Sequence, residues 1–318
     1  MTMRVAILDD YQNVALKIAD WSPLVGRVQA VEFTEPFADM DAAAAALAGF
    51  PVVIAMRERT PFPAALFDRL PDLKLLVTTG MRNLSIDMEA AKARGVTVCG
   101  TALLPYPAAE LTWGLLMALS LHIPRDAQAM RDGGWQGSAG CSLYGRTLGI
   151  IGLGKQGRQV ARFANAFHMD VVAWSRSLTQ AEAVLQDANR VELDELLAMS
   201  DIVTVHVVLN EGTRGLIGAR ELGLMKPSAL LVNTARGPIV DEAALLDALH
   251  SGQIAGAAID VYDQEPLPAD HKLRRAPNTV LTPHTGYVTE ENLTLMYAQA
   301  VEDIAAFLDG KPERVLNG

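Results

Sequence analysis

The stretch "GIIGLGKQGRQVARF", residues 149–163, decides the fold of the chain. Gly152, Gly154 and Gly157 have G-x-G-x-x-G spacing after an apolar strand and before a helix, a context that makes an otherwise weak pattern specific. The first glycine permits a tight turn, the second lets a pyrophosphate approach the backbone, and the third lets helix and strand pack closely. The stretch therefore predicts a dinucleotide-binding unit, with Lys155 and Gln156 of the same turn as candidate cofactor contacts.

Apolar strand-like runs alternate with helical stretches on both sides of this turn, which is typical of parallel sheets covered on both faces. The alternation restarts at residue 147, and the helical stretch near 290–308 follows the last strand, so it can pack back on the first domain. We predict an α/β fold with two Rossmann-like or flavodoxin-like parallel-sheet domains and a cleft between them. The expected domains are a discontinuous substrate-binding domain, residues 1–100 plus 288–318, and a dinucleotide-binding Rossmann domain, residues 101–287.

The composition excludes several classes of protein. The chain has 318 residues, is half hydrophobic and carries a net charge of −10, which argues against a nucleic-acid partner and an anionic membrane surface. Cys99 and Cys141 lie far apart and give neither a disulfide framework nor metal-ligand spacing. No signal peptide or apolar run of membrane-spanning length is visible. We expect a soluble cytoplasmic protein without a metal.

The strand after the glycine turn indicates which cofactor binds. NAD-binding units usually carry an acidic residue about 20 positions on, to bond the ribose 2′-hydroxyl. Here the strand ends "VVAWSRS", so Ser175 stands where the carboxylate is expected, followed by Arg176 and Ser177. A guanidinium between two hydroxyls suits a 2′-phosphate, so NADP is favoured over NAD, although a solvated Arg176 and either cofactor stay open. His206 ends a later strand and is a candidate neighbour of the cofactor.

Three further strand ends carry polar groups: Arg236 in "NTARG", Glu265 in "DQEP" and His284 in "TPHTG". Ligands of open α/β sheets bind beyond the carboxyl ends of the strands, so these side chains are expected to converge. An arginine matches a carboxylate and polarises a carbonyl, and a histidine transfers protons near neutral pH. A glutamate beside the histidine fixes its tautomer and favours the imidazolium. Each residue alone is more often structural, but together they predict hydride transfer with an acid–base histidine.

The sequence resembles the family of D-isomer-specific 2-hydroxyacid dehydrogenases, and the match is densest over 148–286. The resemblance implies that Arg236, Glu265 and His284 are the catalytic residues and that Asp260 contacts the nicotinamide amide. It also implies that Thr234 and Ala235 lie in the segment lining the nicotinamide. The segments that carry it are "GIIGLGKQG", "LLVNTARGPIVDEAALLDAL", "GAAIDVYDQEPLP" and "LTPHTGY".

The resemblance also places the substrate. In the family, backbone N–H groups of a loop in the first domain hold the substrate carboxylate, and the matching residues are Gly80, Met81 and Arg82 in "TTGMRNLSID". Small residues usually follow the first glycine, so Arg82 either adds a cation to the pocket or turns to solvent. Arg57 matches an arginine of phosphoglycerate-type members, but Glu58 partly neutralises it. The match to Arg57 points to an anionic or larger substrate.

The expected activity is hydride transfer between nicotinamide C4 and C2 of a D-2-hydroxy acid or 2-oxo acid. Reduction of a small 2-oxo acid such as glyoxylate or hydroxypyruvate is favoured. A D-3-phosphoglycerate dehydrogenase and a non-catalytic nucleotide-sensing protein of the same fold are the alternatives. The resemblance further implies a homodimer built around the cofactor domain and the 108–120 helix.

Overall fold

The structure is a computed structural model that describes residues 2–137 and 139–318. The chain forms two compact units, each with its own parallel sheet. The first unit comprises Met1–Leu104 and Tyr287–Gly318, and the second comprises Pro105–Gly286. That the first unit binds substrate and the second binds the cofactor stays a prediction. No helix among the described residues is both long enough and apolar enough to cross a membrane.

The first unit contains a five-stranded parallel sheet in the order β2-β1-β3-β4-β5. Its central strands are buried on both faces, which explains why all their residues except Thr78 are apolar. Val52 and Ile54 pack on the face covered by the last helix, whereas Val53 and Ala55 pack on the opposite face. The elements are β1 (Met3–Ile7), α1 (Ala15–Ile18), β2 (Val28–Glu32), α2 (Met40–Leu47), β3 (Val52–Ala55), α3 (Ala64–Phe67), β4 (Leu75–Thr78), α4 (Met88–Ala93), β5 (Thr97–Gly100) and, last in the chain, α12 (Glu290–Leu308).

The second unit contains a seven-stranded parallel sheet in the order β12-β11-β10-β9-β6-β7-β8. Its apolar side chains also alternate between two covered faces, as Ile150 and Ile151 do. The elements are α5 (Pro107–Ser120), α6 (Ile123–Arg131), β6 (Thr147–Ile151), α7 (Lys155–Ala166), β7 (Asp170–Trp174), α8 (Gln180–Val184), β8 (Asn189–Arg190), α9 (Leu193–Met199), β9 (Ile202–Val205), α10 (Ala219–Leu224), β10 (Leu230–Asn233), α11 (Glu242–Ser251), β11 (Gly256–Ile259) and β12 (Thr279–Leu281). The prediction of an α/β fold with two parallel sheets is confirmed.

The strand order of the second sheet determines where a site can form. The order reverses at β6, which pairs with β9 on one side and β7 on the other. All its strands are parallel, so the residues that follow them emerge at one edge of the sheet. Gly152, His206, Arg236, Asp260 and His284 each follow a strand of this sheet at that edge. The geometry therefore brings the candidate residues of this unit to the crevice where such folds bind ligands.

Candidate active site

The glycine turn between β6 and α7 has the close packing expected of its spacing. Gly152 has a φ of +104°, and a Cβ on it would lie 2.8 Å from the carbonyl carbon of His206. A Cβ on Gly157 would lie 2.1 Å from the Gly152 carbonyl oxygen, so only glycine lets α7 approach β6 this closely. A Cβ on Gly154 would meet no atom within 4 Å, so the turn is open to a ligand there.

The first turn of α7 retains unused hydrogen-bonding groups. No side chain caps the helix at Gly154, so the N–H groups of its first turn are available to an anion. Lys155 is exposed beside them. Gln156 Oε1 is buried and accepts no hydrogen bond from any described residue. An uncapped helix, a lysine and an unpartnered acceptor fit the phosphates and polar groups of a nicotinamide dinucleotide.

The end of β7 presents a guanidinium. Ser175 is half-buried, whereas Arg176 and Ser177 are exposed. The Arg176 guanidinium lies over Gly212, where an added Cβ would fall 2.3 Å from Nη2. Arg176 forms no ion pair with any residue in 2–137 or 139–318. Its charge is therefore available to an external anion.

His206 follows β9 next to the glycine turn. Its backbone N–H donates to the Ile151 carbonyl at 2.7 Å, and its Nε2 lies 2.9 Å from Thr204 Oγ1. Burial lowers the pKa of His206 to about 4, so the ring is neutral at physiological pH. A neutral ring at this position adds no charge next to the glycine turn.

Glu265 and His284 are in direct contact. Glu265 Oε2 lies 2.5 Å from His284 Nδ1, and Glu265 Oε1 accepts a 2.9 Å hydrogen bond from the Tyr262 N–H. Burial raises the pKa of Glu265, but the hydrogen bond and charge of His284, the Tyr262 N–H and the charge of Arg236 together hold it below its ordinary value. Glu265 is therefore ionised, and a carboxylate at this distance fits a proton on His284 Nδ1.

Asp260 fixes the loop that carries His284. Asp260 is 1% exposed, and its carboxylate accepts hydrogen bonds from Thr282 Oγ1 at 2.6 Å, Thr285 N–H at 2.8 Å and Gly286 N–H at 3.0 Å. Its carbonyl accepts from the His284 N–H at 2.8 Å. His284 has a φ of +52°, which is uncommon for a residue other than glycine and needs such surrounding constraints. Burial raises the pKa of Asp260 against the effect of these hydrogen bonds.

Arg236 follows β10 on a segment that wraps around Asn233. Asn233 is 1% exposed; its Nδ2 donates to the Arg236 carbonyl at 3.1 Å, and its Oδ1 accepts from the Ala235 N–H at 3.1 Å. Arg236 Nη1 donates to the Ala235 carbonyl at 2.7 Å. The side chain is half-buried, and its charge acts on Glu265.

Gly237 presses the Arg236 segment against the Glu265 segment. A Cβ on Gly237 would lie 2.2 Å from the carbonyl carbon of Tyr262 and 2.6 Å from the Asp263 nitrogen. The two segments therefore meet through backbone atoms. Arg236, Glu265 and His284 are brought to one place, as expected from the strand ends.

Sequence reasoning missed two residues that support the site. Thr112 in α5 is buried, donates to the Ala108 carbonyl at 2.7 Å and lies 2.7 Å from Thr234 Oγ1, so it accepts the Thr234 hydroxyl proton. Asn233 is the other. Thr112 is 122 positions from Thr234, and no local spacing links them. The role of Asn233 in "VNTARG" could have been predicted, since an asparagine side chain commonly forms a hydrogen bond with the backbone two residues later.

The first unit groups the substrate candidates around one turn. Gly80 has a φ of +131°, and its N–H donates to Thr101 Oγ1 at 3.1 Å. Arg57 Nη1 donates to the Thr79 carbonyl at 3.1 Å. A Cβ added to Gly80 would lie 2.0 Å from the same Nη1 atom. Met81 is 53% exposed and Arg82 is also exposed. Within the described chain, the N–H groups of these last two residues donate no hydrogen bond.

Arg57 is not a lone cation. Its Nη2 lies 3.5 Å from Glu58 Oε2, and its side chain is only 16% exposed. The guanidinium therefore lies against the Gly80 turn and is partly neutralised by Glu58, as the sequence suggested.

Comparison with known proteins identifies the family. The model of the NAD-binding domain of D-isomer-specific 2-hydroxyacid dehydrogenases matches residues 113–286. The chain is 38% identical to a glycerate dehydrogenase of Methylorubrum extorquens, over 83% of this chain and 85% of that protein. It is 37% identical to a D-3-phosphoglycerate dehydrogenase of Bacillus subtilis over 81% of this chain, but it spans only 49% of that relative.

A solved structure extends the likeness to the whole chain. A phosphoglycerate oxidoreductase from Vibrio cholerae superposes with a TM-score of 0.92 at 34% identity, over 97% of this chain and 100% of that one. The predicted family and reaction class are confirmed. The chain belongs to the D-isomer-specific 2-hydroxyacid dehydrogenases and is a nicotinamide-dependent oxidoreductase that acts on the CH–OH group of 2-hydroxy acids.

Proposed function

We propose that this protein reduces a small 2-oxo acid of the glyoxylate or hydroxypyruvate type, with NADPH as the preferred cofactor. The observation that carries the proposal is the 2.5 Å contact between Glu265 and His284 beside Arg236. Glu265, whose pKa is lowered mainly through its hydrogen bond with His284, orients the imidazole through Nδ1. The glycerate dehydrogenase relative supports a substrate of this size.

Arg236 binds and polarises the substrate. Its guanidinium presents donors in a planar fork that matches a carboxylate and a neighbouring carbonyl oxygen. The Asn233 hydrogen bonds hold its backbone, so little conformational freedom is lost when substrate binds. The charge of Arg236 then stabilises negative charge that develops on the substrate oxygen.

His284 supplies the proton. A nicotinamide cofactor, when bound, would supply the hydride that C2 of the 2-oxo acid accepts. His284 donates its Nε2 proton to the former carbonyl oxygen, and Glu265 stabilises the imidazolium before transfer. Asp260 holds the His284 loop through its hydrogen bonds and is the proposed neighbour of the nicotinamide amide. Thr234 and Ala235 are proposed to line the same ring, with Thr112 fixing the Thr234 hydroxyl.

The Gly80 turn is proposed to bind the substrate carboxylate. The Gly80 N–H already donates to Thr101, so the available donors are the N–H groups of Met81 and Arg82. Gly80 contributes the turn geometry, since its φ of +131° is one that other residues rarely adopt. Arg57 and Arg82 add positive charge to this region.

A panel of 2-oxo acids with NADPH and NADH tests the proposal. We expect the highest kcat/KM for glyoxylate or hydroxypyruvate with NADPH, and lower values for bulky aryl pyruvates. Nucleotide binding without turnover of any 2-oxo acid would contradict the proposal and favour a nucleotide-sensing protein.

The second candidate is a D-3-phosphoglycerate dehydrogenase. Arg57 and Arg82 beside the Gly80 turn suit an anionic substrate, and phosphoglycerate enzymes are among the relatives. A separate assay with 3-phosphoglycerate and NAD⁺ tests this candidate, and strong turnover there would replace the first candidate by this one.

Replacing Arg176 with alanine is expected to weaken NADPH binding about 10- to 100-fold, the range for loss of a hydrogen bond to a charged group. NADH has no 2′-phosphate, so its dissociation constant is expected to change less than about threefold. Fluorescence titration of both cofactors measures this. Arg162→Ala, at an exposed arginine of α7, is the matched control. Equal weakening of both cofactors would remove the preference for NADP.

We propose that a second copy of the chain covers α6. In this unit α6 buries none of its residues, and several large apolar side chains around it are exposed. Such a patch marks an interaction surface. Ile123 and Met130 in α6 are 50% and 56% exposed, and Trp135, which follows the helix in sequence, is 75% exposed. Light scattering is expected to give twice the chain mass, and Met130→Glu to give the monomer mass; a monomeric wild type would contradict the homodimer.

We also propose the cytoplasm as the location. Cys99 is buried, Cys141 is exposed, and both are unpaired, which suits a reducing compartment. Fractionation of cells that produce the protein at native levels tests this, and recovery from an extracellular fraction would oppose it.

A further inference from the structure

Residues 314–317 form an added edge beside β5 in the first unit. Val315 pairs with Cys99 in an antiparallel bridge, although every other pairing of this sheet is parallel. The Arg314 carbonyl accepts from the Gly100 N–H at 3.1 Å. On the other side of the bridge, Leu316 N–H donates to the Val98 carbonyl at 2.8 Å, and Val98 N–H donates to Asn317 Oδ1 at 2.9 Å.

Arg314 clamps this segment to α12. Arg314 Nε donates to Asp303 Oδ1 at 3.0 Å, and the Asp303 side chain is fully buried. Arg314 Nη2 also donates to Glu302 Oε2 at 2.9 Å and to the Gln299 carbonyl at 3.0 Å. A buried carboxylate that loses its partner is costly, so the clamp resists opening.

The segment reaches the Gly80 turn through Gly100. A Cβ on Gly100 would lie 2.9 Å from Leu316 Cδ1 on one side. On the other side it would lie 2.7 Å from the Gly80 carbonyl oxygen and 3.3 Å from Met81 Cα. Leu316, Gly100 and the Gly80–Met81 backbone therefore form three layers in contact. Gly100 has no side chain that could move aside, so a shift of Leu316 is passed to the Gly80–Met81 backbone.

We propose that residues 314–317, clamped through Arg314 and Asp303, set the position of the Gly80–Arg82 turn, so that Arg314 and Leu316 are positioning residues for substrate binding. The inference rests on the proposed role of the Met81 and Arg82 N–H groups. These N–H groups bind the carboxylate alike in the ground state and the transition state. A displaced turn therefore raises KM for the 2-oxo acid and leaves kcat nearly unchanged.

Two variants test the inference. Leu316→Ala removes the contact with Gly100 and keeps the clamp. The double variant Arg314→Met/Asp303→Asn removes the clamp without leaving a buried charge unpaired. For both we expect KM for the preferred 2-oxo acid to rise about 5- to 10-fold, while kcat and the cofactor dissociation constant stay within about twofold. Arg27→Met, which breaks the exposed ion pair with Asp309 in the same unit, is the matched control and is expected to change none of these values.

Hydrogen exchange gives a readout that does not depend on activity. In both variants we expect faster exchange of the amides at 98–100 and also at 79–83. Faster exchange at 98–100 with unchanged exchange at 79–83, or an unchanged KM with a loosened segment, overturns the inference. A wild type that turns over no 2-oxo acid contradicts the proposed function instead, and exchange at 79–83 still decides whether the segment positions the turn.

Discussion

Replacing His284 with alanine is expected to lower kcat for 2-oxoacid reduction by about 10³-fold, within the range for loss of a general acid. The reason is geometric: Glu265 Oε2 lies 2.5 Å from Nδ1, so Nε2 is the proposed proton donor, and no other described side chain is paired with Glu265 in this way. The cofactor dissociation constant is expected to stay within about twofold, because the glycine turn does not depend on this ring. Steady-state rates of NADPH oxidation and a fluorescence titration measure the two quantities.

Two further variants serve as a control for His284→Ala and as a test of the Glu265–His284 pair. His250→Ala, at an exposed histidine on α11, is the matched control and is expected to behave as wild type. Glu265→Gln keeps the shape of the side chain and removes its charge, with an expected loss of about 10- to 100-fold in kcat. Glu265 acts through His284, so the double variant is expected to be little worse than His284→Ala alone. If the kcat of His284→Ala stays within tenfold of the wild-type value, His284 is not the proton donor.

The sequence predicted the features that depend on local pattern. The apolar runs predicted the parallel sheets, because a strand covered on both faces has apolar side chains throughout and does not alternate apolar with polar residues. The last helix was expected near 290–308 and occupies Glu290–Leu308. The convergence of Arg236, Glu265 and His284 followed from one rule, that parallel strands end at one edge.

The features that the sequence did not predict depend on contacts between distant residues. Thr101 Oγ1 accepts a hydrogen bond from the Gly80 N–H, and Asp260 accepts hydrogen bonds from three donors of the His284 loop. No spacing in the sequence predicts either contact. The helix α6 was also not among the predicted elements, although Pro124 lies in its first turn, where proline is favoured. The antiparallel edge at 314–317 has no alternating apolar pattern of its own. Long-range partners of this kind appear only once the backbone is in place.

Replacing Gly237 with alanine is expected to reduce kcat/KM by about 10²-fold or more while all three reactive side chains remain, because misplacement of about 1 Å is enough for such a loss. The added methyl would lie 2.2 Å from the Tyr262 carbonyl carbon and 2.4 Å from its oxygen, so backbone must move and no side-chain rotation relieves the overlap. The Arg236 segment would then separate from the segment that carries Glu265. Thermal unfolding should also show a loss of about 1–3 kcal/mol, as for other overpacked sites.

Gly223→Ala is the matched control for Gly237→Ala. Gly223 lies in α10 of the same unit, and an added Cβ there meets no atom within 4 Å. This control is expected to gain about 0.5–1 kcal/mol in the free energy of unfolding, since alanine favours a helix over glycine. Its activity is expected to be unchanged. If Gly237→Ala keeps wild-type kcat/KM while its stability falls, activity does not depend on the spacing that the backbone contact imposes between the Arg236 and Glu265 segments, and this prediction is wrong. If activity falls while NADPH still binds with wild-type affinity, the damage is confined to the place where the two segments meet.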